Sequence, residues 1–347
     1  MTSPTRLFNW GIVGAGVIAR QFAGDLASVP GARVARVHTR SGKLPDGFAS
    51  LVPGASVDAS LDALLADPGV DAVYIATPNA AHAEQALAAI AVGKPVLVEK
   101  PLATTSADAR RIASAAQAAN VFAMEAMWTR FLPAIEAARD IIGSGRIGDV
   151  QRVQAELAYR RDEAADSRFF DPAGGGASLD LGVYPLSLAM RLFGRPDHVT
   201  GQWRAARSGV DMAASYQLRF GSMTADLSCG FDRDGDNAFT VFGSKGALRI
   251  HPPFLKAQRL TVFDGFAARL PLIGADASGP LARIAGKLPL PGRQTRNYDF
   301  SGGGLQFEAA AVMKAVRAGE RSSKIAPLAD SISVLETIEQ VLRQPPG

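Results

Sequence analysis

Short apolar runs alternate with amphipathic stretches along the first third of the chain. The apolar runs predict strands beginning at Asn9 and spanning Arg33–Thr39, Val70–Ala76 and Pro95–Val98. A helical period of apolar positions predicts helices at Ser60–Leu65, Ala81–Ala91 and Ala107–Ala119. Because strands that alternate with helices form parallel sheets covered on both faces, this region predicts a doubly wound α/β fold.

The pattern changes after about residue 125. Stretches rich in Val, Thr, Tyr and Phe, separated by Gly and Asp turns, predict strands at Asp149–Leu157, Val199–Trp203, Ala213–Phe220, Met223–Gly230 and Ala238–Val241. Apolar periodicity predicts helices at Pro133–Ile142, Leu179–Leu192, Leu305–Arg317 and Leu328–Leu342. This half of the chain is therefore expected to be an α+β domain built on a large, mostly antiparallel sheet.

The first strand leads directly into a glycine turn and the start of a helix. Gly14 permits the tight turn, Gly16 leaves room for a phosphate against the backbone, and Ala19 lets the helix pack closely. Free N–H groups at the helix N-terminus, around Val17 and Ile18, favour a negatively charged ligand. This dinucleotide-binding pattern predicts a Rossmann domain over residues 1–125, followed by a domain for substrate binding and oligomerisation over 126–347.

Composition and charge narrow the function classes. Lys and Arg number 37 against 33 Asp and Glu, and the resulting +4 is too small for this length to indicate a nucleic-acid partner. The chain has no apolar run of bilayer length and no apolar N-terminal leader segment, so we expect a cytoplasmic protein. The single cysteine, Cys229, is expected to be buried and inert, and the four histidines lack metal-ligand spacing, so no metal is expected.

The end of the second strand indicates which nicotinamide cofactor to expect. An Asp or Glu normally binds the ribose hydroxyls of NAD there, and His38–Lys43 contains no carboxylate. Arg40 can pair with a 2′-phosphate and stack on adenine, while Thr39 and Ser41 offer hydroxyl groups. NADP is therefore favoured over NAD, with an ordinary solvated turn as the alternative for Arg40.

Two further segments carry candidate chemistry. Glu99-Lys100-Pro101 follows an apolar strand, and a cis bond before Pro101 could aim the Lys100 ammonium into a cleft, with a surface turn as the alternative. Farther on, Asp180 and Tyr184 are four residues apart, so a carboxylate and a phenol share one helix face. Because Pro185 follows Tyr184 directly, we predict a kinked or irregular helix there.

These segments together resemble the Gfo/Idh/MocA oxidoreductase family. Within it the chain is most similar to the branch of dimeric trans-dihydrodiol dehydrogenases, NADP-dependent xylose dehydrogenases and glucose–fructose oxidoreductases. The resemblance is carried, in chain order, by the Gly14/Gly16/Ala19 turn, Thr77-Pro78-Asn79 with His82, Glu99-Lys100-Pro101, Glu125–Pro133 and the glycine-rich Asp180/Tyr184 helix. It continues through Gly304–Ala310 and Pro327–Ser331.

The resemblance implies an NADP(H)-dependent enzyme that transfers hydride between nicotinamide and a carbinol or carbonyl carbon of a small sugar, polyol or cyclic vicinal diol. It implies that Lys100 and Tyr184 are the catalytic pair, with Asp180 assisting. Cofactor contacts around the nicotinamide are implied for Thr77, Pro78, Asn79, His82, Glu99, Lys100, Trp128 and Arg130. Two other functions stay open: a redox-assisted glycosidase or isomerase that retains its cofactor, and a non-catalytic NADP-binding sensor or scaffold.

Two expectations concern surfaces. Gly265–Asn297 predicts an irregular excursion, interpreted as a lid or a subunit-contact arm, with a passive surface loop as the alternative. A homodimer or higher homo-oligomer is expected through the open face of the second sheet. The candidate contacts are the apolar strand residues Trp203, Tyr216, Leu218 and Phe220, with burial in the core as an equally weighted alternative.

Overall fold

A computed structural model describes residues 6–164, 167–265 and 292–347. The chain forms two compact units, Met1–Trp128 with Ser301–Glu336, and Thr129–Phe300 with Thr337–Gly347. The expected division at residue 125 treated the chain as two consecutive segments. In the structure, the segment Ser301–Glu336 belongs to the first unit instead.

The first unit contains a six-stranded parallel sheet of order β3-β2-β1-β4-β5-β6. Its strands are β1 (Phe8–Val13), β2 (Ala32–His38), β3 (Ser56–Asp58), β4 (Ala72–Ile75), β5 (Val96–Glu99) and β6 (Ala123–Ala126). Every residue of the central strands β4 and β5 is buried, as expected for a sheet covered by helices on both faces, and every residue of the edge strand β6 is buried too. The doubly wound parallel sheet predicted from the alternating pattern is confirmed.

The N-terminal segment of this unit contains the helices α1 (Val17–Leu26), α2 (Leu61–Ala66), α3 (His82–Ala91) and α4 (Ser106–Ala119). Side-chain caps mark the starts of α2 and α4. The Ser60 hydroxyl accepts the Ala63 N–H at the start of α2, and the Thr105 hydroxyl accepts the Asp108 N–H at the start of α4. Asn120 ends α4 in the left-handed conformation, with φ of 54°.

The second unit is built on an eight-stranded sheet of order β14-β13-β12-β11-β7-β10-β9-β8. Its strands are β7 (Val150–Ala158), β8 (His198–Ala205), β9 (Asp211–Phe220), β10 (Met223–Gly230), β11 (Phe239–Gly243), β12 (Gly246–Ile250), β13 (Arg259–Asp264) and β14 (Arg293–Asn297). Among the described strand pairs of this sheet, only β7 and β10 run parallel, so the predicted, mostly antiparallel character of the sheet is confirmed. Helices α5 (Pro133–Gly143) and α6 (Val183–Phe193) belong to this unit.

Alternation along β9 separates a buried face of the sheet from an exposed one. Tyr216 and Leu218 are 0% and 2% exposed, whereas the intervening Gln217 and Arg219 are exposed. Tyr216 and Leu218 are therefore core residues, and their proposed role as subunit contacts is wrong. The apolar positions of β9 face the helix-covered side of the sheet, which leaves polar side chains on the other face.

The expectation of an irregular excursion over Gly265–Asn297 is corrected at its end. Residues 293–297 form β14, which pairs antiparallel with β13 from Arg259↔Asn297 to Phe263↔Arg293. The sequence Arg-Gln-Thr-Arg-Asn lacks apolar alternation because this strand lies at the sheet edge and is largely exposed. Residues 266–291, and with them the lid or arm interpretation, lie outside the described residues.

Two C-terminal helices complete the fold, α7 (Leu305–Arg317) and α8 (Leu328–Leu342), both with the predicted bounds. The Asp25 carboxylate on α1 accepts the backbone N–H groups of Gly303 and Leu305, at 2.7 Å and 3.0 Å. These bonds tie the start of α7 to the first unit. Within the described part of the chain, no helix has both the length and the apolar character to cross a bilayer.

Candidate functional site

The turn between β1 and α1 has the geometry that a dinucleotide phosphate requires. Gly14 has a φ of 103°, and a Cβ there would lie 2.4 Å from the Ala76 carbonyl oxygen, so only glycine fits. A Cβ on Gly16 would meet nothing within 4 Å, which means that space is open beside this backbone. The first turn of α1 holds no acidic residue, and Val17 is 67% exposed. The first N–H groups of α1 therefore suit an anionic group.

The loop after β2 presents a cation without a competing carboxylate. Arg40 is exposed, and the Thr39 hydroxyl bonds both the N–H and the carbonyl of Lys43, at 3.1 Å and 3.0 Å. Ser41 makes a similar, longer pair of bonds to Lys43, at 3.3 Å each. The two hydroxyls thus shape a compact turn that carries Arg40 at its tip.

The nearest acidic side chain by strand register is engaged elsewhere. Asp58 pairs with His38 across β3 and β2. Its carboxylate accepts two bonds from the Arg36 guanidinium, one of them 2.7 Å long, while a third Arg36 nitrogen donates to Asp67 at 2.7 Å. These bonds raise the pKa of Arg36, and the bond from Arg36 lowers that of Asp67. Both carboxylates are therefore neutralised within the protein.

Two more predicted segments lie at the same edge of the sheet. Thr77-Pro78-Asn79 follows β4, and Lys100 follows β5, so parallel pairing of β1, β4 and β5 brings their carboxyl ends to one edge. Thr77, Asn79 and Lys100 are half-buried, whereas Pro78 is exposed. The Lys100–Pro101 peptide is cis, as the sequence permitted.

His82 connects these two loops from beneath. Its side chain is fully buried, with Nδ1 2.8 Å from the Pro101 carbonyl oxygen and Nε2 2.9 Å from the Thr77 carbonyl oxygen. Burial lowers the pKa of His82, against the effect of the two carbonyl groups. Both ring nitrogens therefore contact backbone carbonyls of the two loops that carry Thr77 and Lys100.

Buried carboxyl groups hold the backbone on either side of Lys100. The Lys100 N–H donates to Glu99 Oε2 at 3.2 Å, and the Leu102 N–H donates to Glu125 Oε1 at 2.7 Å. Glu99 also accepts the Tyr74 hydroxyl, and Glu125 accepts the Ser331 hydroxyl at 2.7 Å. Burial raises the pKa of Glu99 to about 7. The loop after β5 is consequently supported on successive backbone groups.

Glu308 is a further buried acid in this unit, and its burial was not predicted. The side chain is 0% exposed, and neither carboxyl oxygen has a hydrogen-bond partner among the residues that the structure describes. Burial raises its pKa well above the usual value, and the charges of Glu99 and Glu125 add to that effect. The Gly304–Ala310 run was noted for resemblance alone. Only the packing around α7 reveals that this glutamate is buried beside other acids.

In the second unit, an irregular turn precedes the candidate tyrosine. Ser178–Gly182 forms a π-helical turn that continues into α6, and Tyr184 is the second residue of α6. The irregularity predicted from Tyr184-Pro185 is confirmed, because Pro185 supplies no N–H donor just after the π turn passes into α6. Asp180 is half-buried and Tyr184 is 6% exposed. Single π turns of this kind are frequent at functional sites.

Arg130 belongs to this second unit and supports α6. It is 2% exposed, its Nε donates to the Ser187 hydroxyl at 2.7 Å, and its Nη2 donates to the Ser187 carbonyl at 2.8 Å. Ser187 lies three residues after Tyr184 on the same helix. Trp128, the last residue of the first unit's N-terminal segment, is 6% exposed.

The predicted residues therefore form two groups, one in each unit. The first unit brings together the glycine turn, Thr39-Arg40-Ser41, Thr77–Asn79 and Lys100 at one sheet edge, with His82 and Glu99 below. The second unit brings together Asp180, Tyr184 and Arg130 around the start of α6. Cys229 is fully buried, and burial raises its thiol pKa, which confirms the expected inert thiol. In the described ranges, no group of three or more His, Cys, Asp or Glu side chains could hold a metal ion.

Comparison with known proteins adds the family. A family model described as an oxidoreductase family with an NAD-binding Rossmann fold matches residues 8–127, and the GFO/IDH/MocA C-terminal domain matches residues 135–249. Mouse trans-1,2-dihydrobenzene-1,2-diol dehydrogenase is 30% identical over 338 residues, covering 96% of this chain and 95% of the relative. The D-xylose 1-dehydrogenase (NADP(+)) of Hypocrea jecorina is 31% identical over 373 residues, covering 97% and 91%.

Solved structures agree on the fold. KijD10, a 3-ketoreductase from Actinomadura kijaniata in complex with NADP and TDP-benzene, has a TM-score of 0.80 at 24% identity and 97% coverage of both chains. The aldose-aldose oxidoreductase from Caulobacter crescentus has a TM-score of 0.80 at 23% identity, also covering 97% of both chains. At these identities the likeness concerns the fold alone.

Proposed function

The chain belongs to the GFO/IDH/MocA oxidoreductase family, and we propose that it is an NADP(H)-dependent dehydrogenase or reductase for a small sugar, polyol or cyclic vicinal diol. The observation that carries the chemistry is the position of Tyr184, a phenol at the start of α6 just after the π turn. Asp180 lies four residues before it, within that turn. The two curated relatives described above are named for a dihydrodiol and for D-xylose, both of which offer a carbinol carbon.

The preference for NADP over NAD rests on the loop after β2. Arg40 is exposed at a turn without a carboxylate, and Asp58 and Asp67 are occupied by Arg36. A 2′-phosphate would therefore meet a guanidinium and two hydroxyl-bearing residues, while the ribose of NAD would lack its usual carboxylate partner. The open space beside Gly16 and the uncharged first turn of α1 fit the pyrophosphate of either cofactor.

The bound nicotinamide would supply or accept the hydride. The residues of the chain supply positioning and a proton. Tyr184 removes the substrate hydroxyl proton during oxidation and returns it during reduction, and it needs a nearby cation because a free phenol has a pKa of roughly 10. The proposal assigns that cation to Lys100 and the orientation of the pair to Asp180. The pairing of Lys100 with Tyr184 rests on the family resemblance.

Within this proposal, His82 and Glu99 act beneath the cofactor-facing residues. Both ring nitrogens of His82 bond backbone carbonyls, and the Glu99 carboxyl receives Tyr74 and the Lys100 N–H. Their contribution is to hold the Thr77 and Lys100 loops. Arg130 likewise supports α6 through its hydrogen bonds to Ser187. Direct contacts to the cofactor are proposed for Thr77, Pro78, Asn79 and Trp128.

A substrate panel tests the proposed function. Purified protein is incubated with aldoses, polyols and cyclic diols in the presence of NADP+ or NAD+, and absorbance of the reduced nicotinamide is followed. We expect turnover with NADP+ on at least one substrate class and weaker turnover with NAD+. Absence of activity on all classes, in both directions, would contradict the substrate proposal.

Stoichiometry separates the proposed dehydrogenase from an enzyme that retains its cofactor. A dehydrogenase forms one reduced nicotinamide for each product molecule, whereas a redox-assisted glycosidase or isomerase forms product without net NADPH.

We also propose a homo-oligomer formed through the exposed, polar face of the second sheet. Light scattering at micromolar concentration tests this proposal, and a monomer mass would contradict it.

A further inference from the structure

Four buried polar side chains form a cluster at the start of the π turn and in the strands beneath it. The proposed proton transfer uses none of them. Ser178, Asp211, Tyr216 and Cys229 are all between 0% and 3% exposed. Ser178 is the first residue of the turn, Asp211 begins β9, Tyr216 lies within β9 and Cys229 lies near the end of β10. The turn is therefore attached to two adjacent strands of the sheet.

The hydrogen bonds run in one direction through this cluster. The Ser178 backbone N–H and hydroxyl both donate to Asp211 Oδ2, each at 2.7 Å. The Tyr216 hydroxyl donates to Ser178 Oγ. Since the single hydroxyl proton of Ser178 is given to Asp211, the phenol must be the donor in its contact with Ser178. One carboxylate oxygen thus holds both the backbone and the side chain of Ser178.

Two glycines let the turn lie directly on this cluster. Gly176 has a φ of 103°, and a Cβ there would lie 2.2 Å from Asp211 Oδ1. A Cβ on Gly182 would lie 3.0 Å from Cys229 Sγ. A larger residue at Gly176 would collide with the Asp211 carboxylate, whereas at Gly182 it would press against the Cys229 sulfur. The two ends of the turn are therefore seated against β9 and β10.

Tyr184 follows Gly182 by two residues, so its hydroxyl moves with the turn. We propose that Asp211, acting through Ser178 and completed by Tyr216, is a positioning group that sets where Asp180 and Tyr184 present their reactive oxygens. Arg130 holds the same helix farther along the chain, through Ser187. This inference rests on the proposed function, in which Tyr184 transfers the proton.

The test uses variants that remove single oxygen atoms. Ser178→Ala removes the hydroxyl but keeps the backbone N–H, and Tyr216→Phe removes the phenol oxygen but keeps the ring. We expect kcat to fall by about 10²-fold for Ser178→Ala, because displacements near 1 Å cost that much in rate, and by less for Tyr216→Phe. The pKa that the pH–rate profile assigns to Tyr184 should shift in both variants, while NADP(H) affinity stays near native.

Thr261→Val is the matched control. Thr261 is a fully buried hydroxyl in the same sheet, bonded to His251 and Thr295 and distant in sequence from the π turn. We expect it to lower Tm by an amount similar to Ser178→Ala, without a change in kcat or in the pH–rate profile. The control therefore measures the cost of losing a buried hydroxyl alone.

The outcomes separate this inference from the proposed function. If Ser178→Ala and Tyr216→Phe lower Tm but keep the native kcat and pH profile, the cluster is packing only and the inference is overturned. If Ser178→Ala does not fold, Tyr216→Phe decides. Native activity in Tyr184→Phe overturns the catalytic assignment itself, whereas a severe loss in Tyr184→Phe beside unaffected Ser178→Ala and Tyr216→Phe removes the positioning role alone.

Discussion

The two compact units support their candidate residues in different ways. In the first unit, Arg40 and Lys100 follow strands at one edge of a parallel sheet, and buried acids crowd beneath the loop after β5. In the second, Tyr184 lies on a helix whose entry turn is held by one carboxylate and two hydroxyls. Residues at strand ends are suited to ligand contact, whereas the tyrosine depends on its support from below.

This difference predicts that cofactor affinity and proton transfer can be separated by mutation. First-unit variants at the β2 loop should change binding with little effect on kcat, and second-unit variants at α6 should do the reverse. The burial of Glu99 in the first unit further predicts that stability depends on pH.

The largest expected effect is that of Tyr184→Phe. The substitution keeps the ring and its packing but removes the proton donor, so kcat should fall by about 10²–10⁴-fold. NADP(H) affinity, measured by fluorescence titration, should stay near native. Tyr298→Phe, which removes a phenol elsewhere in the same unit, is the control and should keep native activity.

Lys100→Met should lower kcat at least as much as Tyr184→Phe does, and it should raise the kinetic pKa assigned to Tyr184.

Glu99 should make the protein less stable as the pH rises. Because burial raises its folded-state pKa to about 7 from the usual 4.5, the folded state binds more protons than the unfolded state between those pH values. The free energy of unfolding should then fall by about 3 kcal/mol across that window and level off above it. Denaturation at pH 5, 6, 7 and 8 should show a shallower fall in Glu99→Gln. An identical slope in the two proteins would contradict the assignment.

Arg40→Ala should weaken NADP binding selectively. It removes a charge-assisted bond worth about 1.5–3 kcal/mol, which corresponds to roughly a ten- to hundredfold change in Kd. NAD affinity and kcat at saturating cofactor should barely change. The control is Arg33→Ala, which changes an arginine of β2, the strand before this loop, whose Nε donates to Asn9. Tighter binding of NAD than of NADP by the native protein would show that the cofactor assignment is incorrect.

The smallest expected effect has the opposite sign. Glu308→Met replaces a buried carboxyl that has no hydrogen-bond partner in the described part of the chain with an apolar chain of similar length, which should stabilise the protein by about 1–3 kcal/mol at neutral pH. A rise in Tm should be measured, with a smaller rise in Glu308→Gln because the amide is polar too. A loss of stability in Glu308→Met would mean that the carboxyl makes an interaction worth more than its desolvation.

Much of the fold was predictable because its signals are local. The glycine turn, the alternating strands and helices of the first unit, and the bounds of α7 and α8 follow from residues close together in sequence. The irregular start of α6 was also predictable, since Pro185 constrains the residue before it. The strands β3, β6, β12, β13 and β14 were missed. In β14 the reason is visible, because its charged residues are held by pairing with β13 across a long insertion.

The site divides along the same line. The sequence alone determined the glycine turn at Gly14 and Gly16, the loop without a carboxylate around Arg40, and the four-residue spacing of Asp180 and Tyr184, since each depends on neighbouring residues. Tertiary structure alone decided that His82 and Glu99 lie beneath the loops they support, that Ser301–Glu336 joins the first unit, and that Asp211 carries the turn before Tyr184. Those outcomes depend on contacts between residues far apart in the chain, and burial by such contacts sets the hydrogen-bond partners and the pKa of each polar side chain.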